Sequence, residues 1–410
     1  MRQPLLQSRT RLAVVIWAVL VSQVLLYPGL DGLIVALNGP ATIQAGMWFL
    51  VAEFAAFVAF AVVWGAMSDL LGRRTPLVVA GALGGAMSYV VLTQLPWLGI
   101  GFTGVLAVRI IGGAFSIGAF SVGITMLMDL SGGHGRNMGA AGIAIGLGAA
   151  LGSVVGGQLA VVDPFAPVYF GAIILVGAGL LAATVSDSAS AAAATSGAGL
   201  TDRVAGGIDV ALGALRSTPA LRIPYAFGFI DRLTAGFFSL VGVFYFGEVF
   251  GLDAAGVGIA LALFFLPFAL LQYPLGMLSD RIGRFIPVVV GSVGYGLAII
   301  AVGVASTVEL AMALMMLVGV AGAFVAPATM ALVTDLCAPT ERGVAMGGFN
   351  VFGSLGFLSG FLIGGFVVDA TNYVTAFLVV GGLEIAIALI ALPAVRRLSS
   401  QFPTPASSAD

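Results

Sequence analysis

The chain has 410 residues, 60% of them hydrophobic and only 8% charged, with a net charge of −2. Soluble domains carry about 25% charged residues, so this apolar surface calls for a bilayer as its solvent. The weak net charge offers no basic face for nucleic acid. A single cysteine, Cys337, excludes an intrachain disulfide framework and a cysteine zinc cluster, and a single histidine, His134, leaves no imidazole set for a metal.

A spanning helix needs about 20 mainly apolar residues. Such runs predict helices near 12–37, 43–66, 76–95, 100–128, 138–160 and 166–185. A second set follows near 221–247, 255–278, 286–305, 308–334, 343–367 and 373–394. The first run exceeds the ~7–15 residues of a signal-peptide core and reads as a span. The expected fold is an all-α membrane protein with 12 transmembrane helices in two pseudo-symmetric bundles. The first bundle covers 1–185, a cytoplasmic linker 186–220, the second bundle 221–394 and a cytoplasmic tail 395–410. The linker opens with an Ala/Ser/Gly tract of flexible composition. Its Val204, Ile208, Ala211, Leu212 and Leu215 fall at helical spacing, which suits either a helix on the membrane surface or a loop.

All 16 basic residues are arginine. Fourteen fall in loops or tails on one expected side: Arg2, Arg9, Arg11, Arg73, Arg74, Arg136, Arg203, Arg216, Arg222, Arg281, Arg284, Arg342, Arg396 and Arg397. The opposite loops hold Asp163, Glu248, Asp253, Glu309 and Asp369. The positive-inside rule then puts both termini in the cytoplasm.

Two repeats divide the chain. Gly65-Ala-Met-Ser-Asp-Leu-Leu-Gly-Arg-Arg returns 211 residues later as Gly276-Met-Leu-Ser-Asp-Arg-Ile-Gly-Arg. Gly139, Gly148, Gly152, Gly156 and Gly157 of the fifth helix recur at an offset of 208 as Gly347, Gly356, Gly360, Gly364 and Gly365 of the eleventh. Small residues at such spacing let helix backbones approach. Parallel six-helix repeats are an established transporter design.

The charged repeat resembles the loop signature G-x-x-x-D-x-x-G-R-[RK] of the major facilitator superfamily, and the resemblance covers essentially the whole chain. Gly65, Asp69, Gly72, Arg73 and Arg74 match fully; Gly276, Asp280, Gly283 and Arg284 match with Phe285 at the last basic place. The resemblance implies a cytoplasmic gate in which Asp69, Arg73 and Asp129 meet the eleventh helix, and Asp280, Arg284 and Asp335 meet the fifth. A helix N-terminus favours such carboxylates. It also implies a cavity lined by helices one, four, seven and ten.

Within that framework Arg109 resembles the R-x-x-[Q]-G pattern of proton-coupled members, with Gly112 at the glutamine place. An arginine at mid-membrane costs at least ~2.5–3.5 kcal/mol, so it requires an acid. Asp31 of the first helix is the expected partner and Asp231 of the seventh the second choice. Glu53, Asp231 and Arg232 complete the proton-coupling candidates; Arg232 also suits a substrate carboxylate. Glu384 in the twelfth helix has no assigned role. The glycines of helix five follow the antiporter pattern G-x8-G-x3-G-P-x2-G-G, with Ser153 in the proline place and Phe361 in the second copy. Gln23, Gln158, Gln272, Tyr273 and Asn350 are polar cavity candidates; Phe264, Phe265 and Phe268 suit core or lipid.

The expected function is a secondary transporter of the drug/proton antiporter type, exporting a small organic compound from the plasma membrane as a monomer. The alternative is a proton-coupled importer of a nutrient or organic acid. No cofactor or metal is expected, and no substrate-binding residue is assigned. An enzyme is not expected, since H-E-x-x-H and G-x-S-x-G are missing, and without lysine there is no P-loop for ATP.

Overall fold

In the computed structural model, residues 2–130, 134–187, 213, 215–338 and 341–401 are described. Among them the regular structure is helical throughout. Eleven stretches are long and apolar enough to cross a membrane. They start with α3 (Ile43–Leu71), α4 (Thr75–Gln94), α5 (Phe102–Asp129), α6 (His134–Val162) and α7 (Ala166–Ala183).

The first expected helix is broken. The structure has α1 (Arg2–Val24), a turn, and α2 (Leu30–Ala36). Pro28 lies in that turn; it lacks an N–H and disfavours helical backbone at Tyr27. Beside it Gly29 lies against Ala160, where a Cβ would collide.

The seventh span is composite: a 3-10 turn over Pro219–Leu221, α8 (Arg222–Phe237), a π segment over Phe238–Gly242, and α9 (Val243–Glu248). Then come α10 (Ala254–Ile282), a π segment Ile286–Gly291 leading into α11 (Ser292–Gly303), α12 (Val308–Asp335), α13 (Arg342–Ala370) and α14 (Tyr373–Gln401).

The charged repeats are helix ends rather than loops. α3 runs on through Asp69 to Leu71 and stops at Gly72, whose φ is +61°. α10 runs through Asp280 to Ile282, and Gly283 has φ +83°. Glycine is the residue that takes this left-handed conformation without a Cβ penalty.

Two compact units emerge. One comprises Met1–Gly207 and Gly242–Ala262, the other Ile208–Val241 and Leu263–Asp410. In the first, α6 lies along α1: a Cβ on Gly148, Gly152 or Gly156 would meet the carbonyl oxygens of Trp17, Val21 or Leu25 in turn. In the second, α13 lies along α8, with Gly356 and Gly360 against the Phe229 and Leu233 carbonyls and Gly364 against the Phe237 ring. Gly157 faces Ala254 within the first unit. Gly365 is buried. Gly347 meets nothing within 4 Å, so close packing does not explain it. The side chains at 134–140, Gly139 among them, and linker residues Val204, Ile208, Ala211 and Leu212 lie outside the described set. Leu215 packs on a cluster of Leu221, Tyr225, Val333, Cys337, Ala345 and Phe349.

Candidate functional site

The first unit carries a buried ion pair. Glu53 sits mid-way along α3 and Arg109 on α5. An Arg109 Nη2 donates to Glu53 Oε2, and only 2% and 4% of these residues' surfaces are exposed. The pair follows from the helix crossing. Gly113, one turn beyond Arg109, takes the Glu53 carbonyl where a Cβ would stand. Gly112, at the expected glutamine place, gives room to Ser88 Oγ of α4. The guanidinium also lies 4.2 Å from the centre of the Phe49 ring, one turn before Glu53, and 5.9 Å from that of Tyr89. Tyr89 is held by its hydroxyl, which donates to the Ser22 carbonyl at 2.9 Å. A desolvated cation–π contact contributes about 2 kcal/mol, below the ~2.5–3.5 kcal/mol insertion cost. The Glu53 carboxylate adds the opposite charge that a buried guanidinium calls for. Glu53 Oε1 and Arg109 Nε have no hydrogen-bond partner among the described residues.

This corrects the expected pairing with Asp31 or Asp231. Asp31 is exposed on α2. It lines a pocket of about 360 Å³ together with Glu248 and Asp253. The break at Leu25–Gly29 takes Asp31 out of the first helix's register. Asp231 belongs to the second unit, buried on α8. Arg232, its neighbour, turns to α13: Nη2 donates to Asn350 Oδ1 at 3.2 Å, and the side chain runs past Gly353. Glu384, in the twelfth predicted span, is 0% exposed, with Asp231, Ser292 and Tyr295 beside it.

At the α3–α4 turn, Arg74 rather than Arg73 takes the central place. Arg74 Nη1 pairs with Asp129 at the end of α5, and Nε donates to Ser68 Oγ at 3.1 Å. Arg73 is exposed and makes no ion pair among the described residues. Sequence reading missed Asp187, whose Oδ2 accepts from the Arg74 and Thr75 backbone N–H groups at 2.9 and 3.2 Å. The second unit repeats the pattern: Arg284 bonds Asp280 at 2.6 Å, Ser279 at 3.0 Å and Asp335 at 3.1 Å. Asp69 is exposed. A Cβ on Gly65 would meet nothing within 4 Å, and one on Gly276 would make ordinary contact with Pro327 at 3.4 Å. Close backbone approach therefore does not account for these two glycines.

Of the polar cavity candidates, Gln23 is buried, with Nε2 unpartnered among the described residues, whereas Gln158 and Tyr273 are exposed and Gln272 is half-buried. Phe264 and Phe265 are buried, Phe268 is half-buried, and the Phe264 ring lies tilted against both, with centroids 4.8 and 6.1 Å away.

The sequence profile described as Major Facilitator Superfamily matches residues 12–246 and 225–409. The chain belongs to the major facilitator superfamily. The eleven candidate spans among the described residues make it a multi-pass integral membrane protein. A relative from Methanocaldococcus jannaschii, an uncharacterised transporter of this type, is 30% identical over 162 residues, 40% of this chain and 42% of that protein. The chain thus spans less than half the length of that curated relative. The class C tetracycline resistance protein of Escherichia coli is 26% identical over 348 residues, 82% of either chain. Among solved structures, that of the human organic anion transporter TETRAN aligns over 94% of this chain and 99% of its own, with a TM-score of 0.71 and 20% identity.

Proposed function

We propose that this transporter exports a small organic compound in exchange for protons by alternating access, with Glu53 and Arg109 as the coupling pair. The buried Arg109–Glu53 pair carries the reading. A carboxylate held by one guanidinium, with its other oxygen unsatisfied, has a place for a proton once the pair loosens. Proton arrival at Glu53 frees Arg109, and departure restores the pair. Buried ionisable groups inside spanning helices mark substrate and proton paths.

Export is supported by the relative named for tetracycline resistance, which matches over most of either chain. The clusters around Arg74–Asp129 and Arg284–Asp335, with Asp69 and Asp280 exposed beside them, are the proposed cytoplasmic gate. Both termini then face the cytoplasm of a plasma-membrane protein, and a monomer suffices.

Inside-out vesicles with an acid interior and a pH-sensitive dye test this. Panels of lipophilic cations, neutral antibiotics, sugars and carboxylates are added outside. Gradient collapse that depends on this protein and is lost in Glu53→Gln supports antiport. Proton-coupled uptake only in right-side-out vesicles overturns export in favour of import.

A further inference from the structure

Glu384 sits in the second unit at the crossing of α14 and α11. A Cβ on Gly296 would stand 2.5 Å from the Gly381 carbonyl oxygen and 3.3 Å from Glu384 Cβ, and one on Gly381 would stand 2.5 Å from the Gly296 carbonyl oxygen. These backbones touch as in small-residue helix pairs, which keeps Glu384 from lipid although its helix borders the unit. Ser292, one turn before Gly296, and Tyr295 beside it are both 0% exposed. Asp231 enters from α8, which packs on α14, and its charge bears on Glu384 and, with Glu384, on Tyr295.

Unpartnered atoms converge here. Asp231 Oδ1 lacks a hydrogen-bond partner among the described residues, and the Glu384 carboxyl with Ser292 beside it, and the Tyr295 hydroxyl with Thr234 beside it, make no bond of ordinary geometry. Arg232, next to Asp231, donates to Asn350 at 3.2 Å, and its charge bears on Asp231 rather than on Glu384. The Ile286–Gly291 segment and α13 between Gly343 and Val368, also packed on α14, contain no titratable side chain. Two buried carboxylates without a salt-bridge partner among the described residues cost several kcal/mol each when both are charged, and like charges at one site favour holding a proton between them.

We propose that Asp231 and Glu384, flanked by the hydroxyls of Ser292 and Tyr295, form a second proton-binding site, separate from Arg109–Glu53. Its part in transport rests on the proton-coupled reading above; its existence does not.

The test uses the full-length protein in lipid nanodiscs and dicyclohexylcarbodiimide, which adds to protonated carboxyls in apolar surroundings. Peptide mapping by mass spectrometry reads the modified residue. Glu384 is labelled, faster at lower pH, and the label is lost from its peptide in Glu384→Gln. In Asp231→Asn the pH of half-labelling moves, because the proton is no longer shared; an unmoved midpoint overturns the sharing. Absence of label on wild-type Glu384 at every pH overturns the site without any variant having to fold. Protection by sodium at fixed pH overturns it in favour of a metal-cation site. Labelling as expected, with no proton movement in the vesicle assay, refutes proton coupling and leaves the site standing.

Discussion

Arg109 faces Glu53 across the crossing of α3 and α5, and Gly113 makes the crossing close enough by leaving its Cβ position to the Glu53 carbonyl. Breaking a buried pair by removing one partner costs about 3–5 kcal/mol. Arg109→Ala is therefore expected to lower thermal stability in detergent sharply, and Arg109→Ala/Glu53→Gln together to recover part of the loss. A double variant no more stable than Arg109→Ala would show that the charge left on Glu53 is not what destabilises.

Glu53→Gln is expected to abolish gradient-driven transport while allowing substrate exchange, and Asp31→Asn, at an exposed position, to keep both. Dye-monitored pH collapse and counterflow of radiolabelled substrate distinguish these. Loss of proton coupling in Asp31→Asn with retention in Glu53→Gln would return the role to Asp31.

Glycines that look alike in sequence should differ in tolerance. Gly113→Ala forces its Cβ into the Glu53 backbone, and overpacking costs about 1–3 kcal/mol. Gly65→Ala meets open space and sits in a helix interior, where alanine is favoured by up to about 1 kcal/mol. Melting of the detergent-solubilised protein should fall for the first and hold or rise for the second.

Arg74→Ala removes the bonds to Asp129 and Ser68, whereas Arg73→Ala removes no ion pair among the described residues. The Asp129 side chain is 44% exposed, so the ion-pair share is about 0.2–1 kcal/mol. Arg74→Ala should therefore be modestly less stable than Arg73→Ala, with Arg284→Ala behaving like Arg74→Ala.

Cys337, just past α12, is the single thiol and only 9% exposed. Burial pushes its pKa up, Glu341 adds to this and Arg342 opposes it. Only the thiolate reacts, so maleimide labelling at neutral pH should run below the rate of a free cysteine. It should climb at higher pH than the ordinary thiol range near ~8.5. Fast labelling at neutral pH would mean that the Leu221–Tyr225–Phe349 cluster around it opens.

The sequence by itself determined the membrane, eleven of the twelve helix spans, the duplication and the two charged repeats, because these rest on composition and on local spacing along the chain. Gly72 and Gly283 were visible as motif residues, yet their work as left-handed helix ends needs backbone angles. Partner choice was decided by tertiary structure alone. The sequence ranked Asp31 first and Asp231 second as the partner of Arg109, and the crossing at Gly113 selected Glu53, which the sequence had marked only as a proton-coupling candidate. Arg73 and Arg74 are adjacent, and the helix end at Gly72 turned the second of them to Asp129. Glu384 had no assigned role until the contact of Gly296 with Gly381 set it beside Ser292 and Tyr295, with Asp231 approaching from α8. Hydrophobic periodicity sums many weak preferences and survives in one dimension. A buried charge finds its partner through the rotation and depth of a few helices, and those are fixed only when the helices pack.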